Sequence, residues 1–152
     1  MKHIKLFIPV VLITLFSLSS FAQENTTKWL TNYEEALALS KKEDKPILMN
    51  FSGSDWCANC MRLEKVVFSS EAFKIFSTKN FVLLRLDFPA KKKNKLSPEM
   101  TKQNDALAEK FNKTGAFPTV TILGVDGKVK GITGYKKMSA EAYVSHLQSF
   151  LK

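Results

Sequence analysis

Short apolar runs alternate with amphipathic stretches along most of the chain, a pattern typical of strands and helices in alternation. Three runs are apolar at almost every position, which predicts strands buried on both faces of a sheet. An Asp126-Gly127 pair predicts a hairpin that leads into a further strand over 128–133. The three apolar runs are 47–51, 81–86 and 119–123.

Polar caps followed by apolar faces predict the helices between these strands. Asn32, with Glu35 three residues later, forms a capping pair before a helix that Pro46 stops. Ser139 caps a last amphipathic helix with Tyr143 on its inner face. Other helices are predicted to open at the cysteines at 57 and 60, to begin at Ser69 or Ser70, and to run from Ser97 to Phe111.

Helix-separated strands imply parallel pairing, and the hairpin adds an antiparallel edge. The sequence therefore predicts an α/β fold in which helices flank a central mixed sheet of about four strands. With 152 residues and no internal repeat, we expect a single domain.

The first residues have the composition of a secretory signal. Two lysines precede an apolar run from Leu6 to Leu18, and Ser20-Phe21-Ala22 fits a cleavage site. The run is shorter than the about 20 apolar residues that span a bilayer, which favours cleavage over an uncleaved anchor. We predict a signal peptide over 1–22, a mature domain over 23–152, and a periplasmic or otherwise extracytoplasmic location.

The chain is basic, with 23 Lys and Arg against 14 Asp and Glu and a formal charge of +9. An exported protein seldom meets nucleic acid, so we expect none as a partner. The dense run of Lys91, Lys92, Lys93 and Lys95 is interpreted as a solvated loop. A docking patch for an acidic partner or a membrane surface is the alternative.

The two cysteines occur together, as Cys57-Ala58-Asn59-Cys60. A bridge across so short a loop constrains the unfolded chain little, so their spacing favours chemistry over stability. At the start of a helix, Cys57 is in a position that favours a thiolate. We expect Cys57 to be the exposed nucleophile, Cys60 the resolving thiol, and Trp56 a flat surface for a partner. Asp55 is a nearby negative charge that should oppose thiolate formation.

A C-x-x-C pair also occurs in zinc sites, but those use three or four protein ligands. Once the signal peptide is removed, His146 is the one histidine left and no further cysteine exists. We therefore expect no metal cofactor. Copper(I) held by Cys57, Cys60 and Met61 is an open alternative, because soft sulfur ligands suit that ion.

The segment from Phe51 to Cys60 resembles the active-site segment of the thioredoxin superfamily, with the W-C-x-x-C core intact. Phe117-Pro118-Thr119, after Gly115, is similar to the second hallmark of that family, a cis-proline segment. Gly134-Tyr135 matches the usual glycine at the end of the hairpin. The resemblance covers the chain from about Trp29 to Leu151.

Three local patterns are most similar to the C-terminal periplasmic domain of the thiol:disulfide interchange protein DsbD and to stand-alone exported thioredoxin-like proteins. They are Lys45-Pro46-Ile47, the helix from Cys57 to Glu64 with the pattern Cys-x-x-Cys-Met-Arg-Leu-Glu, and Val67-Phe68-Ser69.

The resemblance implies a thiol–disulfide oxidoreductase whose redox-active disulfide is Cys57–Cys60 and which needs no other cofactor. Trp56, Phe117 and Pro118 are then expected at the substrate, with Phe117 pairing its backbone to an extended peptide. The implied partners are disulfide-containing exported proteins and a membrane thiol reductase that supplies electrons. We expect a monomer that acts as a reductase; a non-catalytic binding module is the alternative.

Two positions depart from the thioredoxin pattern. Asn50 stands where thioredoxins have a buried aspartate, and Leu83 lies near the place of its partner lysine. Because Asn50 cannot titrate, the base for the resolving cysteine is predicted to be water, Glu64 or another group.

Overall fold

The computed structural model describes residues 27–152, in which five strands form one sheet with helices on both faces. The strands are β1 (Trp29–Leu30), β2 (Ile47–Ser52), β3 (Val82–Asp87), β4 (Thr119–Leu123) and β5 (Val129–Gly134). Their order across the sheet is β1-β3-β2-β4-β5. The predicted mixed sheet flanked by helices is confirmed.

The helices begin at the capping residues that the sequence indicates. The side chains of Asn32, Ser70, Ser97 and Ser139 each accept a hydrogen bond from the backbone N–H three residues later, which satisfies an otherwise unpaired donor of the first turn. The helices are α1 (Tyr33–Glu43), α2 (Ala58–Leu63), α3 (Glu71–Asn80), α4 (Pro98–Phe111) and α5 (Ala140–Gln148). A π-helical turn (Glu64–Phe68) directly continues α2, and short 3-10 turns span Lys92–Asn94 and Ser149–Leu151.

The predicted number of strands is one too low. The missing strand, β1, has two residues and pairs in parallel with β3 at the edge of the sheet. Two residues are too few to show an alternating or continuous apolar pattern, so the sequence contains no signal for this strand.

The predicted parallel pairing of helix-separated strands holds for β2 with β3 and is wrong for β4. Phe51, near the end of β2, pairs with Thr119 at the start of β4. The connection through α4 and residues 112–118 therefore returns the chain to the edge at which β2 ends. As a result β4 starts beside the end of β2, which the two cysteines follow.

Two apolar layers hold the helices to the sheet. On one face α1 and α4 pack against a core that includes Met49 and Leu84. On the other face α2, α3 and α5 pack against Leu48 and Ile122. Successive strand residues point to opposite faces, so a sheet covered on both sides needs the continuous apolar runs seen in the sequence.

The predicted signal peptide over residues 1–22 lies outside the described residues and stays a prediction. Between residues 27 and 152, no helix is both long enough and apolar enough to cross a bilayer.

Candidate active site

The two cysteines lie where the C-terminal end of β2 leads into α2. Cys57 and Cys60 form a disulfide, with their Cα atoms 5.2 Å apart. The Cys57 Sγ accepts a hydrogen bond of 3.2 Å from the backbone N–H of Cys60, so this sulfur occupies the N-cap position of α2. An amide donor and the positive end of a helix both favour a thiolate over a thiol at such a position.

Both cysteines are nearly buried in the disulfide state. Cys57 is 7% exposed and Cys60 is 4% exposed. The prediction that Cys57 is exposed is therefore wrong for the disulfide state, in which the sulfur of Cys57 is bonded to Cys60 inside the first turn of α2.

Three aromatic side chains form a surface beside the disulfide, here called the aromatic wall: Trp56, Phe88 and Phe117. The ring centroid of Phe117 lies 5.5 Å from that of Trp56 and 5.2 Å from that of Phe88, both edge to face. The Trp56 Nε1–H donates to the carbonyl oxygen of Phe88 at 2.7 Å. Trp56 remains 49% exposed, so the wall offers apolar surface to a partner.

Pro118 is buried directly before β4, and the Phe117–Pro118 peptide bond is cis, as the resemblance implied. The last residue of β5, Gly134, lies against this segment. A Cβ at Gly134 would be 2.8 Å from the Pro118 carbonyl oxygen, so this close approach requires glycine.

The Asp55 carboxylate turns toward the loop that follows β3. It accepts hydrogen bonds from the backbone N–H groups of Ala90 (2.9 Å) and Lys91 (3.0 Å) and from Nδ2 of Asn94 (2.8 Å). These bonds, that from Ala90 foremost, hold the pKa of Asp55 below its ordinary value. The carboxylate therefore stays ionised and bonded to the loop, and its predicted opposition to a Cys57 thiolate stays a prediction.

A cavity of about 350 Å³ opens beside Cys60 and is also lined by Met61, Glu64 and Arg85. An Arg85 guanidinium N–H donates to a Glu64 carboxylate oxygen at 2.6 Å. The same guanidinium lies 4.8 Å from the ring centroid of Trp29. The cavity thus places an ion-paired carboxylate one helical turn beyond Cys60.

The sequence pattern puts Leu83 near the position of the family's partner lysine, which leaves no positively charged residue paired with Asn50. The register of the sheet corrects this prediction. Leu83 pairs with Leu48, and it is Arg85 that pairs with Asn50. Counting residues along the sequence places the position beside Asn50 at Leu83, two residues before Arg85. Strand pairing, and not spacing in the sequence, decides which residues are neighbours. Asn50 is 3% exposed and its Oδ1 has no hydrogen-bond partner among the described residues.

The sequence did not identify Asp87 and Phe88 as residues of the site. Ser52 pairs with Asp87, and the Asp87 carboxylate accepts hydrogen bonds from the N–H (2.9 Å) and hydroxyl (2.6 Å) of Ser54. Adjacent parallel strands end at the same edge of a sheet, where ligand sites form. That rule, applied to the predicted strand over 81–86, could have found both residues.

Within residues 27–152, no group of three or more His, Cys, Asp and Glu side chains is arranged to hold a metal ion. His146, in α5, has its Nε2 at 2.9 Å from the Thr133 hydroxyl of β5. No observation in this part of the chain favours the copper alternative.

Comparison with known proteins places the chain in a family. A model described as thioredoxin-like matches residues 28–124. The disulfide bond reductase DsbH of Chlamydia pneumoniae is 35% identical over 121 residues, which cover 80% of this chain and 71% of that protein. A solved structure of a DsbH oxidoreductase has a TM-score of 0.76 at 32% identity, over 83% of this chain and 85% of that one.

The thiol:disulfide interchange protein DsbD of Campylobacter jejuni (strain RM1221) is 32% identical over 108 residues, which cover 70% of this chain and 17% of that longer protein. These matches confirm the resemblance that the motifs indicated. The chain belongs to the thioredoxin-like family, and with its Cys57–Cys60 pair it is a thiol–disulfide oxidoreductase.

Proposed function

We propose that this protein reduces disulfide bonds of exported proteins by dithiol–disulfide exchange through Cys57 and Cys60. The observation that carries the proposal is the disulfide at the N-terminus of α2, with Trp56 directly before it and Phe117 packed on Trp56. The name of one relative, a disulfide bond reductase, supports the direction of the reaction.

The reaction begins with both cysteines reduced. The Cys57 thiolate attacks one sulfur of the substrate disulfide and releases the other as a substrate thiolate. The Cys60 thiol then loses its proton and attacks the Cys57 sulfur, which frees the second substrate thiol. The substrate has gained two electrons, and the protein is left with the Cys57–Cys60 disulfide.

The substrate contacts are assigned to Trp56, Phe117 and Pro118. Exposed Trp56 offers a flat apolar surface. The Phe117 backbone lies just before β4, where an extended peptide can pair with it by strand addition. Pro118 has no backbone N–H, so it adds no competing donor at that point.

The protein is proposed to act outside the cytoplasm, in a periplasmic or equivalent compartment, after cleavage of the signal peptide over 1–22. The mature single domain over 23–152 works as a monomer and needs no cofactor beyond its own disulfide. A membrane thiol reductase is the proposed electron donor, because the compartment itself is oxidising. Nucleic acid is not a partner.

The reduction potential of the Cys57–Cys60 pair tests the direction of the reaction. Equilibrating the mature protein with dithiothreitol or glutathione should give a value near that of thioredoxin, about −270 mV. A value of about −120 to −180 mV would place it with oxidases and isomerases and refute the reductase assignment.

Glu64 is the proposed proton acceptor for Cys60. The two residues are four apart in a continuous helix, a spacing that brings side chains together, and both line the same cavity. The ion pair with Arg85 holds the Glu64 carboxylate in this cavity. The buried amide of Asn50 cannot take this role.

Replacing Glu64 with glutamine should slow the resolution of a mixed disulfide near neutral pH by about 10²-fold, the lower end of general-base contributions. The effect should shrink as the pH rises, because a growing fraction of cysteine thiols then ionises without a base. Quench-flow measurement of the decay of a preformed mixed disulfide checks both expectations. Glu71→Gln, at an exposed position in the first turn of α3, is the matched control. Equal rates of resolution for Glu64→Gln and wild type at every pH would eliminate Glu64 as the base.

A further inference from the structure

We propose that the lysine loop, residues 88–97 with Lys91, Lys92, Lys93 and Lys95, docks acidic segments of the protein substrate next to the reacting disulfide. This inference rests on the proposed function and adds the chemical class of substrate that the site prefers. Three features of the loop support it: hydrogen bonds anchor the loop to the segment before Cys57, the loop begins at the aromatic wall, and its lysines are exposed.

The loop is fixed to the segment that precedes Cys57. Asp55 accepts three hydrogen bonds from it, two from backbone N–H groups and one from the Asn94 side chain. Trp56 donates a fourth to the carbonyl oxygen of Phe88. A 3-10 turn closes the middle of the loop, with the Asn94 N–H bonded to the Lys91 carbonyl oxygen at 2.9 Å. The four lysines are thus presented from an anchored backbone rather than from a free tail.

Its anchors place the loop at the reaction centre. Asp55, which holds the Lys91 backbone at 3.0 Å, is two residues from Cys57, a separation of at most about 7 Å along the chain. Phe88, at the start of the loop, belongs to the aromatic wall. A substrate that sets its disulfide against this wall therefore brings its flanking residues over the lysines.

In the described part of the chain, the lysines of the loop are free of direct ion pairs. All four lysines are exposed, and among residues 27–152 none of them forms an ion pair with a carboxylate. Asp55 is hydrogen-bonded to the loop, and Asp87 and Asp105 line a cavity together with Lys95, so the four lysines exceed these three carboxylates by one charge. A concentrated positive patch beside a site raises the association rate of anionic partners by about 10- to 10³-fold.

A protein segment fits this patch better than a membrane surface does. The loop is anchored to Asp55 and Trp56, which directly precede Cys57, so a bilayer that contacted the lysines would also crowd the site. An acidic peptide engages the lysines and the disulfide at the same time. The occupant that the geometry favours is therefore a substrate segment with Asp or Glu next to its cysteine.

The experiment compares three disulfide-linked peptides of one sequence whose flanking residues are aspartate, asparagine or lysine. The second-order rate constant for reduction by the dithiol protein is measured at about 0.01 M and about 1 M salt, where the Debye length falls from about 30 Å to about 3 Å. At low salt the wild type should reduce the aspartate peptide at least about tenfold faster than the asparagine peptide. At high salt the two rates should converge.

Two variants, each with four lysines replaced by glutamine, lose the same positive charge. Comparing them distinguishes an effect of the loop from an effect of the protein's net charge. The control lysines are exposed and lie at the other end of the sheet, near the start of β2 or the hairpin between β4 and β5. The loop variant should lose the preference for aspartate and keep the rate on the asparagine peptide, whereas the control should keep both. The loop variant is K91Q/K92Q/K93Q/K95Q, and the control is K41Q/K42Q/K79Q/K130Q.

The asparagine peptide distinguishes a failure of the proposed function from a failure of the docking inference. If no peptide is reduced, the proposed function fails and the docking inference fails with it. If the asparagine peptide is reduced and the aspartate peptide is no faster, the docking inference alone is overturned. A loop variant that keeps the peptide preference but loses binding to phosphatidylserine vesicles overturns it as well, in favour of a membrane contact.

Discussion

Replacing Cys60 with serine should turn the protein into a trap that accumulates mixed disulfides with exported proteins through Cys57. The first exchange needs a thiolate at Cys57, and the N–H groups at the start of α2 that favour it remain in the variant. The second exchange needs a thiol at position 60. A serine hydroxyl cannot form a disulfide with the Cys57 sulfur, so the bond between Cys57 and the substrate persists. Non-reducing gel analysis followed by mass spectrometry of the linked peptides identifies the cysteine that carries the substrate.

Cys57→Ser is the matched counterpart. It should lower the rate of disulfide reduction by about 10³-fold or more, as loss of a covalent nucleophile does. It should also trap no substrate, because the N-cap position of α2, which favours a thiolate, belongs to residue 57 and not to Cys60. Crosslinks through Cys60 in this variant, or an absence of crosslinks through Cys57 in Cys60→Ser, would reverse or remove the assigned roles.

The parts of the fold that could be predicted are those that depend on local sequence. A cap such as Asn32 or Ser139 acts on an N–H three residues away, so its signal lies within one turn of chain. The buried strand over 47–51 needs apolar side chains on both faces, and its sequence shows them directly. The cysteine pair, with the residues around it, placed the site at the end of that strand.

The parts that could not be predicted depend on which segments meet across the sheet. Arg85 is a member of the site because β3 pairs with β2 in one particular register. The direction of β4 depends on where residues 112–118 return the chain, and no periodicity encodes that. The same holds for Asp55, whose partners lie about 35 residues later in the sequence and become neighbours when the strands pair.

Gly134 illustrates how a distant contact determines the geometry of the site, and its replacement should have the second large effect. In Gly134→Ala the new Cβ would lie 2.8 Å from the Pro118 carbonyl oxygen, a backbone atom that cannot rotate away. Movement of Gly134 is opposed from elsewhere, since its carbonyl oxygen accepts a 3.0 Å hydrogen bond from the buried Tyr143 hydroxyl. The Phe117–Pro118 segment should therefore shift, and a displacement of about 1 Å can cost about 10²-fold in rate on a positioned substrate.

The expected result for Gly134→Ala is slow reduction of protein disulfides, with a much smaller change in the reaction of Cys57 with a small disulfide that does not contact Phe117. Overpacking should also lower the free energy of unfolding by about 1–3 kcal/mol. Gly127→Ala controls for that loss: Gly127 has φ of 76° in the hairpin at the far end of the sheet, with open space around it, so alanine there costs about 1–2 kcal/mol of backbone strain. If both variants are destabilised and Gly134→Ala alone loses protein-disulfide reduction, then a glycine at position 134 is needed to hold Pro118 in place. Equal activity in the two variants would show that the Pro118 segment tolerates the shift, and that its position does not set the rate.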